Sequence, residues 1–410
     1  MQDQGPDLTS PIGRRGFLGA GAGALAVAAA IGERPSAAAQ DAPKATGSVV
    51  LPKRKLGRSG IEVTMLNIGT WRSSGVERLL RFAWANGVRY IDTAKSYGTE
   101  PAVGRWFQQT PEARKDVFLV TKDHPRSPRL LIEQLDQRLD ALKTDYVDLI
   151  FIHALGDHDY ATEVKWPTSP EFKHAADAIR KSGKAKLVGF STHHPRRPEI
   201  LQAAVKGGFV DVIMLQNNPL IAQQDDMNRA LDACYKAGIG LISMKQVAGN
   251  MKLEEIVRQL PELKEQGLTP YQRLLHAIWT DERFSSCCVS MRNTDQIREN
   301  TEAARTFKPM TRAELDRLRD ACIAAGPTMC TSCDGRCSQA AGTTAELGNL
   351  TRFLTYHEHH GYRAEARRQY SEMSDAARNW QGADLEAARQ ACPSKLDFAK
   401  LLPMTDELLG

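Results

Sequence analysis

Between Lys53 and Lys308 the chain repeats one beat eight times: a short run of aliphatic and β-branched residues, then a longer amphipathic stretch. The short runs are TMLNIGT (64–70), YIDTA (90–94), VFLVTK (117–122), YVDLIFIH (146–153), KLVGFS (186–191), VDVIMLQ (210–216), GLISMK (240–245) and SCCVSM (286–291). Their richness in Val, Ile, Leu and Phe is that of strands buried on both faces, as in a parallel sheet. Between them, SPRLLIEQLDQRLDALK (127–143) carries apolar residues at helical spacing. DDMNRALDACYKAG (225–238) opens on Asp and closes on Gly, the punctuation of a helix. Eight strand–helix pairs predict an α/β fold, a (β/α)8 TIM barrel spanning 53–310. An open, doubly wound sheet has no need of the eighth pair.

In such a barrel the chemistry gathers where the strands end, on the C-terminal face. The residues at those ends are Asp92, Lys122, His153, Ser191, Gln216, Lys245 and Ser290. Polar and ionisable groups closing seven successive apolar strands define one rim, and therefore one candidate site. His193 and His194 follow the fifth strand at the same rim, and one of the two is a candidate to line the substrate pocket.

The segments KLGRSGIEVTMLNIGTW (55–71), IDTAKSYG (91–98), VTK (120–122), DLIFIH (148–153) and RNTDQIREN (292–300) resemble the aldo-keto reductases. The resemblance implies a catalytic tetrad of Asp92, Tyr97, Lys122 and His153, and the residue chemistry supports those roles. Reduction of a carbonyl leaves an alkoxide, which needs a proton and a polarising donor. A tyrosine with a pKa near 10 gives up its proton reluctantly. An ammonium beside it lowers that pKa, and a carboxylate orients the ammonium. Tyr97 is thus the expected general acid/base, Lys122 its tuning cation, Asp92 the partner of Lys122, and His153 the group that orients the carbonyl oxygen.

The resemblance also implies NADP, or NAD, as cofactor. It assigns Ser191 and Gln216 to the nicotinamide carboxamide, and Ser290, Arg292, Gln296 and Asn300 to the adenosine-phosphate segment. Thr192 stands where the family's amide-binding Asn is expected, and Met244 where an aromatic residue often covers the nicotinamide ring. Methionine is polarizable enough to cover a ring face, although plain packing accounts for it equally. The expected activity is interconversion of a carbonyl and an alcohol on a small molecule. The alternative is a degenerate barrel that binds a ligand or partner without turnover.

Both ends of the chain differ from the barrel. Residues 11–32 read PIGRRGFLGAGAGALAVAAAIG, and Ala37-Ala38-Ala39 follows. A paired arginine, a weakly apolar stretch and a small-residue cleavage site have the order of a secretory signal. Arg14 and Arg15 before Gly-Phe-Leu resemble a twin-arginine signal, which implies the twin-arginine export machinery as a partner and a periplasmic or extracellular location. The expected organisation is a signal peptide (1–39), a linker (40–52), the barrel, and a mainly helical C-terminal domain (311–410). After cleavage no integral membrane protein is expected.

The C-terminal domain holds Cys330, Cys333 and Cys337 in CTSCDGRC, and Cys392-Pro393. This resembles a reduced version of the ferredoxin-like tails of some aldo-keto reductases, whose bacterial pattern is Cys-x2-Cys-x2-Cys-x3-Cys-Pro. The spacing here is one residue longer between the second and third cysteines. One 4Fe-4S cluster is the leading expectation for these four residues, with disulfides in an oxidising compartment, a zinc site and free or vestigial thiols as the alternatives. Cys234, Cys287, Cys288 and Cys322 read as core residues, and His357, His359 and His360 as a solvated helix face. With 54 Lys and Arg against 49 Asp and Glu, the net charge is +5 and the basic residues are scattered. That distribution argues against a nucleic-acid partner.

Overall fold

The computed structural model describes residues 50–410 apart from 72, 222–224, 247–250, 332 and 334. The expected signal peptide with Arg14 and Arg15, its expected cleavage site and most of the expected linker lie outside the described residues. All eight expected barrel strands are present. They follow a two-stranded antiparallel hairpin, β1 (Lys53–Lys55) and β2 (Glu62–Thr64). The barrel strands are β3 (Leu66–Gly69), β4 (Tyr90–Asp92), β5 (Phe118–Asp123), β6 (Val147–Ile152), β7 (Ala185–Thr192), β8 (Val212–Gln216), β9 (Gly240–Met244) and β10 (Phe284–Val289). Neighbours pair in parallel in chain order, and β10 returns to β3 to close the ring. The fold is therefore an α/β TIM barrel with helices around it and an added helical C-terminal region.

The hairpin was not foreseen from the sequence, and it seals the N-terminal end of the barrel. Arg54 donates to the carbonyls of Trp279 and Phe284 at 2.5 and 2.8 Å. Arg58 donates to those of Gly208, Val210 and Ala237 at 3.0–3.1 Å. These carbonyls precede β8 and β9 and precede or open β10, so two guanidiniums satisfy backbone acceptors that the sheet leaves open. The turn between β1 and β2 needs Gly57: its φ is 54°, and a Cβ there would lie 2.3 Å from the Gly238 carbonyl oxygen.

Inside the ring, Leu56 and Val63 from the hairpin pack with Tyr90, Phe118, Val120, Leu149, Phe151, Leu187, Val212, Met214 and Ile242. This inner core fills the barrel from below and leaves the polar strand ends as its upper layer. A Cβ on Gly189 of β7 would sit 1.8 Å from the Val212 carbonyl oxygen, so β7 and β8 can approach only with glycine at that point. A larger core joins the outer faces of the strands to the surrounding helices, for example Leu131–Leu142 through Leu131, Leu135 and Leu142.

The helix Arg312–Ala324 packs through Leu318 and Ala321 with Met251, Ile256, Leu263 and Leu274. The elements from Arg336 onward share a separate core of Leu347, Leu350, Leu354, Ala366, Phe398 and Leu402. Its principal helices are Leu347–Glu358, Arg363–Ser371, Leu385–Ala391 and Phe398–Leu409. The histidines here correct the expectation of a solvated face. His357 is buried and its Nδ1 lies 2.7 Å from Glu358. His360 stacks on Tyr356 with 5.6 Å between ring centres, and only His359 is exposed. The helix turns this face inward because the segment lies on the barrel rim. No helix among the described residues is long and apolar enough to cross a membrane.

Candidate active site

Three strand ends and one short helical turn assemble the expected tetrad. Asp92 ends β4, Lys122 lies one residue from the end of β5, and His153 follows β6. Tyr97 closes the 3-10 turn Lys95–Tyr97, with Gly98 in the left-handed conformation ending it. Lys122 Nζ lies 2.5 Å from Asp92 Oδ1, 2.9 Å from the Thr93 carbonyl oxygen and 3.4 Å from the Tyr97 hydroxyl. The His153 ring meets the Tyr97 ring edge to face at 5.6 Å. The four residues named from the sequence thus form one contiguous group at the C-terminal rim.

The electrostatics correct one expectation. Lys122 pulls the Tyr97 hydroxyl down, as anticipated, but burial outweighs it and the phenol is pushed up to about 12. Burial also pulls the Lys122 ammonium down, yet Asp92, Tyr97 and Cys288 together hold it above its ordinary value. Burial pushes the Asp92 carboxyl up against the opposing pull of Lys122. Only 1–2% of either side chain in this ion pair is exposed. Burial, and then the Lys122 charge, drives the His153 imidazole well below its usual range, so the ring is neutral. Its Nδ1 lies 3.4 Å from Ser96 Oγ.

Several neighbours escaped the sequence reading. Cys288, expected to be plain core, reaches the floor of the site: Asp92 and Lys122 are electrostatic neighbours of its thiol. Gly69 makes that room, since a Cβ there would lie 2.9 Å from Cys288 Sγ. The His124 ring lies tilted against that of His153 at 4.3 Å, and His158 meets His124 edge to face at 5.4 Å. Of the two histidines after β7, His193 turns toward the rim and pairs with Asp157 at 3.1 Å, whereas His194 stacks on Tyr160 at 4.4 Å. Asp157, His124 and His158 carry no pattern that separates them from ordinary loop residues.

The residues assigned to the cofactor fall into three groups. Gln216 and Met244 are paired in register at the ends of β8 and β9. Gln216 Oε1 is buried with no hydrogen-bond partner, the kind of orphaned acceptor that a carboxamide N–H satisfies. Ser191 and Thr192 are already engaged: Ser191 Oγ accepts from the Ala154 N–H, and Thr192 donates to the Leu155 carbonyl at 2.8 Å. After β10, Ser290 is exposed, the Arg292 N–H donates to Gln296 Oε1 at 2.7 Å, and Asn300 is buried on the helix Thr294–Arg305. The available acceptor fits a nicotinamide at Gln216, while the Thr192 hydroxyl has been withdrawn from that role. A small cavity of ≈30 Å³ near the C-terminal segment is lined by Asn218, Gln246, Met251, Pro393 and Ser394 among others.

The C-terminal segment contributes to the rim. Tyr356 and Tyr362 pack on Trp71 at 5.9 and 5.1 Å. The Tyr362 hydroxyl accepts from Arg292 at 2.9 Å, and Arg197 donates to the Cys333 carbonyl at 2.9 Å. Cys330, Cys337 and Cys392 share the core of this segment, and Cys330, Cys392 and Cys333 are all electrostatic neighbours of the Cys337 thiol. Among the described residues, however, no three or more His, Cys, Asp or Glu side chains are arranged to hold a metal ion. As placed, the thiols neighbour one another without forming a cage.

Comparison with known proteins agrees with this geometry. The model of the family described as "Aldo/keto reductase family" matches residues 65–322. A D-galacturonate reductase of Hypocrea jecorina is 28% identical over 247 residues, which is 53% of this chain and 75% of that protein. An L-glyceraldehyde 3-phosphate reductase of Escherichia coli O157:H7 is 24% identical over 323 residues, 64% of this chain and 91% of the relative. Among solved structures, an aldo-keto reductase complexed with NADPH superposes with a TM-score of 0.54 at 19% identity, covering 66% of this chain and 87% of that one. The holo form of an aldo-keto reductase from Bacillus halodurans superposes with a TM-score of 0.53, covering 66% and 96%.

The ion pair at the centre of the site makes a direct prediction. Asp92→Asn leaves the Lys122 ammonium buried with only a carbonyl and a phenol for company. Removing one partner of a buried pair costs about 3–5 kcal/mol. The urea midpoint should fall accordingly, and an unchanged midpoint would show that the pair contributes nothing to stability.

Proposed function

Because the chain belongs to the aldo/keto reductase family and is an oxidoreductase of that family, we propose that it interconverts a carbonyl and an alcohol on a small molecule, with NADPH as cofactor and Tyr97 as general acid/base. The observation that carries this reading is the Lys122 ammonium held between Asp92 and the Tyr97 hydroxyl, beside a neutral His153. When bound, the nicotinamide supplies the hydride that adds to the carbonyl carbon. Tyr97 releases its proton to the oxygen as negative charge develops there. Lys122, 3.4 Å away, stabilises the phenolate that remains. With Nδ1 facing Ser96, His153 has Nε2 left for the carbonyl oxygen. Gln216 holds the carboxamide, and Met244 lies next to it at the end of β9.

Tyr97→Phe keeps the ring and removes the proton, so turnover should fall by roughly 10²–10⁴ with the fold intact. With its pKa near 12 the phenol stays protonated through neutral pH, so the rate of reduction should not fall with Tyr97 titration until strongly alkaline pH. The reverse oxidation needs the phenolate and should rise with pH. Lys122→Met removes the cation that lowers the phenol pKa and should move the alkaline limb still higher. A Tyr97→Phe variant with wild-type turnover would sink the assignment. Absence of any change in tryptophan fluorescence on titration with NADPH or NADH would turn the reading to a barrel that binds without turnover.

We further propose that the protein acts outside the cytoplasm. This rests on Arg14, Arg15, the apolar stretch and the Ala37–Ala39 site in the sequence. Replacing both arginines by lysine should leave the precursor in the cytoplasm, and normal periplasmic recovery of that variant would refute the twin-arginine route. Export of a folded chain suits a protein that takes up its cofactor first.

For the tail, the reading is that Cys330, Cys333, Cys337 and Cys392 serve one shared site, supported by the neighbourhood of all three other thiols around Cys337. Elemental analysis and an absorption spectrum on anaerobically purified protein separate the occupants. About four irons with a broad band near 400 nm mark a 4Fe-4S cluster, and about one zinc marks a zinc site. Without metal, disulfides among the four should appear in non-reducing mass mapping. Four thiols alkylated freely in the native protein would overturn the shared site.

A further inference from the structure

Side chains alternate along a strand, so while Lys122 points into the barrel, Thr121 and Asp123 beside it on β5 point out toward the helices. A second buried ion network lies there. Thr121 donates to one oxygen of Glu100 at 2.5 Å, and the other oxygen of Glu100 accepts from Arg138 at 3.1 Å. Arg138, from the helix Leu131–Leu142, also lies 3.5 Å from Asp123 Oδ2. Asp123 Oδ1 accepts the His124 N–H at 2.8 Å and lies 3.6 Å from the Lys95 ammonium. Glu100, Arg138 and Asp123 are buried, whereas half of the Lys95 side chain is exposed. A buried ion network gains little stability over apolar residues of the same volume. Its placement supplies a different reason for it.

Asp123 reaches the supports of three tetrad residues. It is bonded to Lys122. Its carbonyl oxygen accepts the His153 N–H at 2.8 Å, a bond that any residue at this position would make. The carboxylate adds what the backbone cannot. Through Lys95 it holds the 3-10 turn Lys95–Tyr97. The two feet of that turn are fixed from the β3 side: the Thr93 and Thr99 hydroxyls lie 3.1 Å apart, at 2.9 and 2.8 Å from that of Thr70. Lys95 ties the same turn to β5, the strand that carries Lys122. Oδ1 also fixes the chain leaving β5, where the His124 ring lies against that of His153 at 4.3 Å. The Tyr97 hydroxyl is 3.4 Å from Lys122 Nζ, near the outer limit of a hydrogen bond, so a small tilt of the turn breaks that contact.

We propose that Asp123 is a positioning residue of the reductase site: its carboxylate, held by Arg138 and Glu100, ties the Lys95–Tyr97 turn to β5 and so keeps the Tyr97 hydroxyl on the Lys122 ammonium. Asp123 faces away from the barrel interior and acts through Tyr97 and Lys122. The proposal rests on the reductase reading for its reaction and on the outer ion network for the tie. A misplacement of the proton donor by a fraction of an ångström slows the chemical step without weakening binding, and that separates this role from a contact with substrate or cofactor.

Two variants of the full chain test it, with 4-nitrobenzaldehyde and NADPH as the probe pair. Asp123→Asn keeps the size and the acceptor for His124 but removes the charge. Its kcat should fall about tenfold or more, with KM and the Kd for NADPH within about twofold of wild type. Lys95→Met, at a half-exposed position, should lower kcat about threefold in the same way, and Lys95→Arg should restore it. Because the two residues form one tie, the double variant should lose no more than Asp123→Asn alone. Backbone hydrogen exchange supplies a readout apart from turnover: residues 93–99 should exchange faster in both variants, with β8 and β9 unchanged. Losses that multiply in the double variant would overturn the proposal, as would a loss carried by KM or exchange that quickens throughout the barrel. Should Asp123→Asn fail to fold, the Lys95 variants decide: loss in Met with rescue in Arg upholds the tie, and wild-type kcat and exchange in Met overturn it. If the wild type does not reduce the probe, the reductase reading fails by itself, and exchange at 93–99 alone upholds or overturns the tie.

Discussion

An ammonium group sealed inside a protein barrel dictates much of what surrounds it. Lys122 is almost wholly excluded from water, and its Asp92 partner equally so. A lone charge in that position would be neutralised or would unfold the rim. The site therefore needs a carboxylate from the neighbouring strand, a backbone carbonyl from the residue after it, and a phenol carried back over the top by a short turn. Each comes from a different point along the chain, and only the closed parallel ring brings them within 3.4 Å of one nitrogen. The apolar filling below, from Leu56 to Ile242, keeps water from reaching the pair from the other end.

The other groups of the rim are set by burial and by the charges around them. His153 and His193 are held neutral by burial and by nearby cations. Tyr97 keeps its proton because burial outweighs the pull of Lys122. The rim thus keeps protons on the Tyr97 phenol and on Lys122 and none on the His153 and His193 imidazoles, which suits a reaction that ends by protonating an oxygen.

The strands and the tetrad were legible because both are written locally. Each barrel strand is a compact aliphatic run, and Asp92, Tyr97, Lys122 and His153 sit at positions that periodicity and resemblance mark together. What could not be read was whatever depends on distant segments meeting. The β1–β2 hairpin is only three residues a side, and its meaning comes from Arg54 and Arg58 reaching carbonyls some 150–230 positions away. His357 and His360 looked solvated because nothing in their own helix shows that it lies on the rim. Tyr362 gave no signal for the same reason, while Cys288 looked like core until Gly69 opened space toward Asp92. The expected lowering of the Tyr97 pKa failed on magnitude, since a sequence gives neighbours but not depth of burial.

The seam that closes the ring has a consequence for how the chain is made. Asn67 on β3 donates to Ser286 on β10 at 3.0 Å, a buried hydrogen bond between residues 219 positions apart. A ribosome adding about 5–20 residues per second needs roughly ten to forty seconds to bridge that interval. During that time β3 has β4 on one side and an unsatisfied edge on the other, the condition in which open sheets recruit foreign strands. The last strand is thus a closure step for the whole nascent barrel, and a chain arrested before β10 emerges would present an unpaired edge to chaperones and proteases rather than a smaller version of the enzyme.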